Sequence, residues 1–203
     1  MKLIFRGKFK SYDDLPKNEL PENAVMFKEP KSMAMVNVVA CVIAVFLALI
    51  LFAILDLRNR RNCMYLEAGW GLLVSALLMI PHELIHAVCM GGKDEVVYMF
   101  YSIKYFMIFV TYPGQMSKAR FIITNFAPSF VLGWIPFAIG LIIPEGKIAS
   151  ILLSSGFLNV IGGCGDMMNV INAAIQMPRG SVTQAAGLNS YWFMPEDKAE
   201  SDT

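Results

Sequence analysis

The chain carries two histidines, His82 and His86, and both belong to the run Pro81-His82-Glu83-Leu84-Ile85-His86. Residues four apart on a helix are rotated by about 400°, so both imidazoles leave one face about 6 Å apart in rise, and two ligands of a single metal ion fit there. Glu83 lies about 100° round from His82, near enough to hold a metal-bound water without itself binding the metal. H-E-x-x-H is the pattern of hydrolases in which zinc activates water and the glutamate is the general base. The setting strengthens this reading. Ala68–Pro81, which leads into the motif, carries no charge, and an ionisable group at the centre of a membrane helix costs about 2.5–3.5 kcal/mol on insertion scales, so such a group marks a functional site.

A catalytic zinc commonly takes three protein ligands and leaves one position for water. From Val96 to Pro144 there is no Asp, Glu or His, and Asp94 and Glu95 follow the Gly91-Gly92 helix stop into surface water. Asp166 remains, the single charge between Ile148 and Pro178, flanked by Gly162, Gly163 and Gly165. Measured along helices ending near Gly91 and Met177, His82, His86 and Asp166 lie at depths of about 13, 8 and 16 Å, compatible with one site. Cys89 shares the histidine face, but a fourth protein ligand would close the site, and a small core cysteine is the simpler reading. Asn125, Asn159 and Asn169 are candidates to orient the ligands or bind substrate, with Asn159 equally readable as a helix-packing amide.

The elements that must position these groups are membrane helices. Of 203 residues, 56% are apolar and only 16% charged, with a mean hydropathy of +0.54. Uncharged runs at Ser32–Leu55, Ala68–Pro81, Phe121–Pro144 and Ile148–Pro178, the last broken by Asp166 alone, imply four spans, at about 33–55, 66–90, 121–143 and 149–176. The expected fold is an α-helical polytopic membrane protein with a small β-hairpin at about 95–112, where β-branched and aromatic residues alternate around a bend at Ser102–Lys104. Residues 1–32 read as a cytosolic lead-in, 33–178 as the membrane-embedded domain and 179–203 as a polar cytosolic tail. No cleavable signal peptide is evident, so the first span is expected to be retained. Lys118 and Arg120 are expected to anchor the third span, and Pro128 and Pro136 to bend it.

A net charge of +1 gives no reason to expect nucleic acid. With four spans, every Lys and Arg except Arg58, Arg60, Arg61 and Lys147 falls on the side of both termini, which favours cytoplasmic termini. Cys41, Cys63, Cys89 and Cys164 are scattered and form neither a disulfide framework nor a zinc ribbon.

H-E-x-x-H in one membrane helix, then a β element, then a proline-containing helix, then a helix with an aspartate: in this order the chain resembles the site-2 protease class of intramembrane zinc metalloproteases. More closely it resembles a bacterial family of membrane zincin peptidases, through H-E-L-I-H, the Tyr112–Arg120 run Y-P-G-Q-M-S-K-A-R, Ala127-Pro128 and G-D-M-M-N at Gly165–Asn169. The resemblance implies His82, His86 and Asp166 as ligands of one zinc per chain and Glu83 as the base. It also implies a bacterial cytoplasmic-membrane location among lipid, and membrane-protein or peptide substrates. Better-known site-2 proteases carry an N-x-x-P-x-x-P-L-D-G-like stretch, where this chain has glycines from Gly162 to Gly165 and no glycine after Asp166. Two other functions fit the residues: a metal transporter or metal-binding membrane scaffold, and a non-catalytic membrane chaperone or regulator. The oligomeric state is not legible.

Overall fold

A computed structural model of the chain describes residues 1–11, 14–15, 18–30, 32–92, 95–103, 107–187 and 189–195. Asp94, the Lys104 end of the expected bend and the last part of the polar tail lie outside them. The chain divides into two units: Pro30–His82 with Phe126–Met168, and Met1–Glu29 with Glu83–Asn125 and Asn169–Thr203.

The first unit is helical. It contains α1 (Met33–Leu57), α2 (Arg61–Leu66), α3 (Ala68–Leu77), a π-helical turn (Phe130–Trp134), α6 (Ile135–Ile142) and α7 (Lys147–Gly162). Its core joins Leu47, Leu51 and Leu55 of α1 to Cys63 and Met64 of α2, Phe137 of α6, and Ala149, Leu153, Phe157 and Val160 of α7. The opposite side of α1 leaves Val38, Val42, Val45, Phe46 and Leu49 exposed, as a lipid-facing stripe requires. α7 is buried on several sides, and its polar groups are spent internally. Ser150 Oγ donates to the Met64 carbonyl at 3.1 Å and accepts the Glu67 N–H at 2.7 Å, tying the start of α3 to α7. Close packing comes from small residues. A Cβ on Gly156 would stand 2.6 Å from the Phe137 nitrogen and 2.8 Å from the Gly133 carbonyl oxygen, so α7 meets the π turn and α6 backbone to backbone.

The second unit carries most of α4 (Met79–Met90), of α5 (Lys118–Ser129) and of α8 (Cys164–Gln176), and two sheets. In one sheet β1 (Lys2–Lys8) pairs in parallel with β3 (Val96–Ser102), which pairs antiparallel with β4 (Met107–Thr111); in the other the order is β2 (Val25–Met26), β7 (Asn189–Phe193), β6 (Val182–Ala186), β5 (Met116–Ser117). Two small cores hold it: Ala87, Val97, Tyr112 and Met116, and Phe27, Ala173 and Met177. Gly7, at φ +82°, supplies the left-handed residue of a bulge where the β1 register slips between Phe5 and Gly7.

Two helices, Ala34–Leu57 and Lys118–Ile142, are long and apolar enough to cross a membrane, and there are up to four if each bent pair is one span. The bends have local causes. α3 and α4 meet at 43°, with Pro81 in the first turn of α4, where its missing N–H leaves the Leu77 carbonyl without its helical donor. α7 and α8 meet at 49° at Gly162-Gly163, where glycine loosens the helical backbone. Ahead of Pro136 the ladder widens to a π turn, and the Ile135 N–H reaches back five residues to Phe130.

β-structure extends beyond the hairpin read from sequence. The lead-in supplies β1 and β2, and the polar tail supplies β6 and β7. Their partners are remote in sequence, and prolines and charges mask short strands whose pairing is decided by tertiary contact.

Candidate metal centre

α4 presents His82 and His86 one turn apart, and α8 presents Asp166 in its first turn. His82 Nε2 lies 3.0 Å from Asp166 Oδ2, with both side chains about four-fifths buried at 18% and 20% exposure. Because α4 is one unbroken helix, His86 follows the same face, and one ligand atom from each of His82, His86 and Asp166 lies within 4.8 Å of the other two. Two imidazoles and a carboxylate are a zinc-type donor set. At bond lengths of about 2.0–2.1 Å the edge of a tetrahedron is about 3.3 Å, so the His82–Asp166 spacing already matches one edge, and the third donor lies within 4.8 Å of both. The residues fit the metal.

His86 is 6% exposed, and its Nδ1 lies 2.9 Å from the Thr124 carbonyl oxygen on α5. That carbonyl is available for a reason written in the sequence. Its helical partner would be the N–H of residue 128, and residue 128 is proline. An unpaired buried carbonyl costs about 1–3 kcal/mol, so the imidazole N–H and the orphaned oxygen satisfy each other. With Nδ1–H committed there, the Nε2 lone pair is left for a metal, the usual arrangement in which a second contact fixes the tautomer of a ligating histidine.

Glu83 is half-buried, and its Oε2 accepts the N–H of Val110 at 3.1 Å. β4 is the edge strand of its sheet, so the carboxylate that follows His82 is held beside an open strand edge. Of the three asparagines, Asn169 Nδ2 donates to Asn125 Oδ1 at 2.9 Å while Asn125 Nδ2 donates to the Phe121 carbonyl at 2.8 Å, a chain that links α8 to α5. Asn159 does something else. Its Nδ2 donates to Ser75 Oγ at 3.2 Å and to the Ser155 carbonyl at 2.9 Å, packing α7 on α3.

Glu95, expected in surface water, keeps a side chain 38% exposed and also anchors a cluster. It accepts from the Tyr112 hydroxyl, from the Gly92 N–H and, at 3.1 Å, from Arg120 Nη2. The Tyr112 hydroxyl first, then the Gly92 N–H and Arg120, hold its carboxyl down at about 2, while burial and the adjoining carboxylate push Tyr112 up to about 12. The backbone groups that serve the site, the Thr124 carbonyl and the Val110 N–H, escape a reading of side-chain types. Pro128 was the one visible pointer to the first.

Replacing Pro128 by Ala gives position 128 an N–H that competes with His86 for the Thr124 carbonyl. Helix propensity alone favours the change by up to about 3 kcal/mol. The variant is therefore expected to melt no lower than the parent, yet to bind zinc about tenfold or more weakly. Zinc-buffer titration beside a thermal melt checks this, and unchanged affinity would show that the carbonyl does not orient His86.

Comparison with curated proteins and with solved structures gives no match. A family model described as "Putative zincin peptidase" matches residues 75–182, more than half of the chain, from the end of α3 through the histidine motif and Asp166 to the start of β6. On that match the chain belongs to the zincin peptidase family, and zinc is the metal that the family implies for the His82, His86 and Asp166 group.

Proposed function

We propose that this protein is an intramembrane zinc peptidase of the site-2-protease kind, cutting membrane-associated or transmembrane substrates within a bacterial cytoplasmic membrane. The observation that carries the reading is the contact of Glu83 with Val110: the acid next to the metal ligand His82 is moored to the open edge of a β-sheet. His82, His86 and Asp166 would hold one zinc per chain, which when bound would polarise the scissile carbonyl and lower the pKa of water so that a base can deprotonate it as it attacks. Glu83 then takes a proton from the attacking water as oxygen bonds to the carbonyl carbon, and returns it to the amine nitrogen as the C–N bond breaks. A helical substrate must first be extended, because its carbonyls are occupied by i to i+4 bonds. β4 offers an unwound segment new main-chain partners, and strand addition there would lay the peptide alongside Glu83. Lipid surrounds the helices, and nucleic acid has no role.

Metal analysis of purified variants separates the roles. His82→Ala, His86→Ala and Asp166→Ala are each expected to lose zinc, whereas Glu83→Gln should keep it and lose cleavage by a factor of a hundred or more. A Glu83→Gln protein that loses the metal would make Glu83 a ligand. If cleavage instead survives that change, Glu83 is not the base; a transporter or scaffold predicts metal binding with no cleavage even by the parent protein.

The edge strand has its own test. Ile108 directs its N–H to the same side of β4 as Val110, two residues on, so Ile108→Pro should remove a donor from the open edge and lower cleavage without lowering bound zinc. β3 is a poorer place to probe, because β1 already covers its other side. Wild-type turnover in a folded Ile108→Pro variant would rule β4 out.

We also propose that both termini, and the opening of the site, face the cytoplasm, on the distribution of Lys and Arg. In a cysteine-free background, Ser117→Cys should resist an impermeant thiol reagent in intact cells and Asn62→Cys should react. The reverse pattern inverts the topology.

A further inference from the structure

The run Y-P-G-Q-M-S-K-A-R ends in two cations at the start of α5, and both meet helix-end carbonyls. Lys118 Nζ donates to the Ala174 carbonyl at 3.0 Å and to the Met177 carbonyl at 2.6 Å, at the C-terminal end of α8. Arg120 Nε donates to the Cys89 carbonyl at 3.1 Å and its Nη2 to the Met90 carbonyl, the last two residues of α4. The closing carbonyls of a helix lack intrahelical donors and carry the negative end of its dipole, so each cation satisfies both needs of the helix it meets.

The K-x-R spacing explains how one turn serves two helices. Residues two apart are rotated by about 200°, so Lys118 and Arg120 leave α5 on opposite sides. The same two sides are used again deeper in the helix. Thr124, four after Arg120, offers its carbonyl to His86 of α4, and Asn125, seven after Lys118, meets Asn169 of α8. The helix that carries both histidines and the helix that carries Asp166 are thus each gripped at two levels by α5. Arg120 is further fixed by Glu95 at 3.1 Å and by the Tyr112 ring, whose centroid lies 5.7 Å from the guanidinium carbon, and Glu95 stays ionised at any physiological pH.

We infer that Lys118 and Arg120 are positioning residues for the metal centre, with α5 acting as the gauge that sets α4 and α8 in register. A residue on either ligand helix moves by about 1.5 Å for each residue of slippage along the axis, a shift that a site of zinc-ligand tolerance does not absorb. This inference rests on the proposed metal-binding function and adds residues that neither ligate metal nor meet substrate.

The test loads the full-length protein in detergent with cobalt(II) and compares Lys118→Gln, Arg120→Gln and the double variant with the parent. The expected result is a rise of about tenfold or more in the cobalt dissociation constant for the double variant, and a smaller rise for each single one. The visible ligand-field spectrum should also change at saturating metal. Lys118→Arg should restore both readouts, because a guanidinium can bridge two carbonyls, whereas Arg120→Lys should fall short, because one ammonium cannot span Cys89, Met90 and Glu95 together. If the double variant does not fold, the single variants and the Lys118→Arg rescue carry the same comparison. Variants that melt lower but keep the parental affinity and spectrum overturn the inference, since packing alone would explain them. Absence of cobalt uptake by the parent protein overturns the metal-binding function as well.

Discussion

Polar groups inside apolar helices must find partners, and that constraint organises this molecule. His86 is almost fully buried, and imidazole nitrogens left unpaired there would carry a desolvation cost of the same order as the net stability of many domains. The chain meets the cost with main-chain atoms that proline has set free. Pro128 withholds the N–H that would close the helix at Thr124, and the carbonyl so released orients His86. A residue that weakens α5 as a helix thereby fixes the donor geometry of α4.

The same economy recurs around the site. Glu83 takes its hydrogen bond from the backbone of an edge strand, a group that would otherwise need water or a further strand. Lys118 and Arg120 close the carbonyl ends of α8 and α4, where water is the usual partner. Ser150 and Asn159 do for α7 what those cations do for α5, joining it to α2 and α3 through hydroxyl and amide contacts. Helix contacts inside a bilayer gain little from the hydrophobic effect, so close approach at glycine and hydrogen bonds between helices must do that work, as Gly156 and Ser150 show.

The bends lie beside the candidate metal ligands. α3 and α4 bend just ahead of the histidine motif, and α7 and α8 bend just ahead of Asp166, with a proline at one junction and glycines at the other. Pro136 and the π turn before it reshape the remaining long helix in the same unit as α7.

Much of this could be read from the residues alone. The H-E-x-x-H spacing sets two imidazoles on one helical face because a turn is 3.6 residues, and Asp166 stood out because carboxylates are costly in apolar segments. The helical membrane class followed from uncharged runs long enough to cross a bilayer, and the β3–β4 hairpin from its β-branched and aromatic content. What only the tertiary structure decided were the partners. β1 lies in parallel beside a strand some ninety residues away, Glu95 pairs with Tyr112 and Arg120, and Lys118 caps α8. Local periodicity records which groups each residue carries and which face it occupies. Which distant carbonyl or carboxylate completes a given donor depends on how helices bend and stack, and that is settled by contacts among residues far apart in the chain.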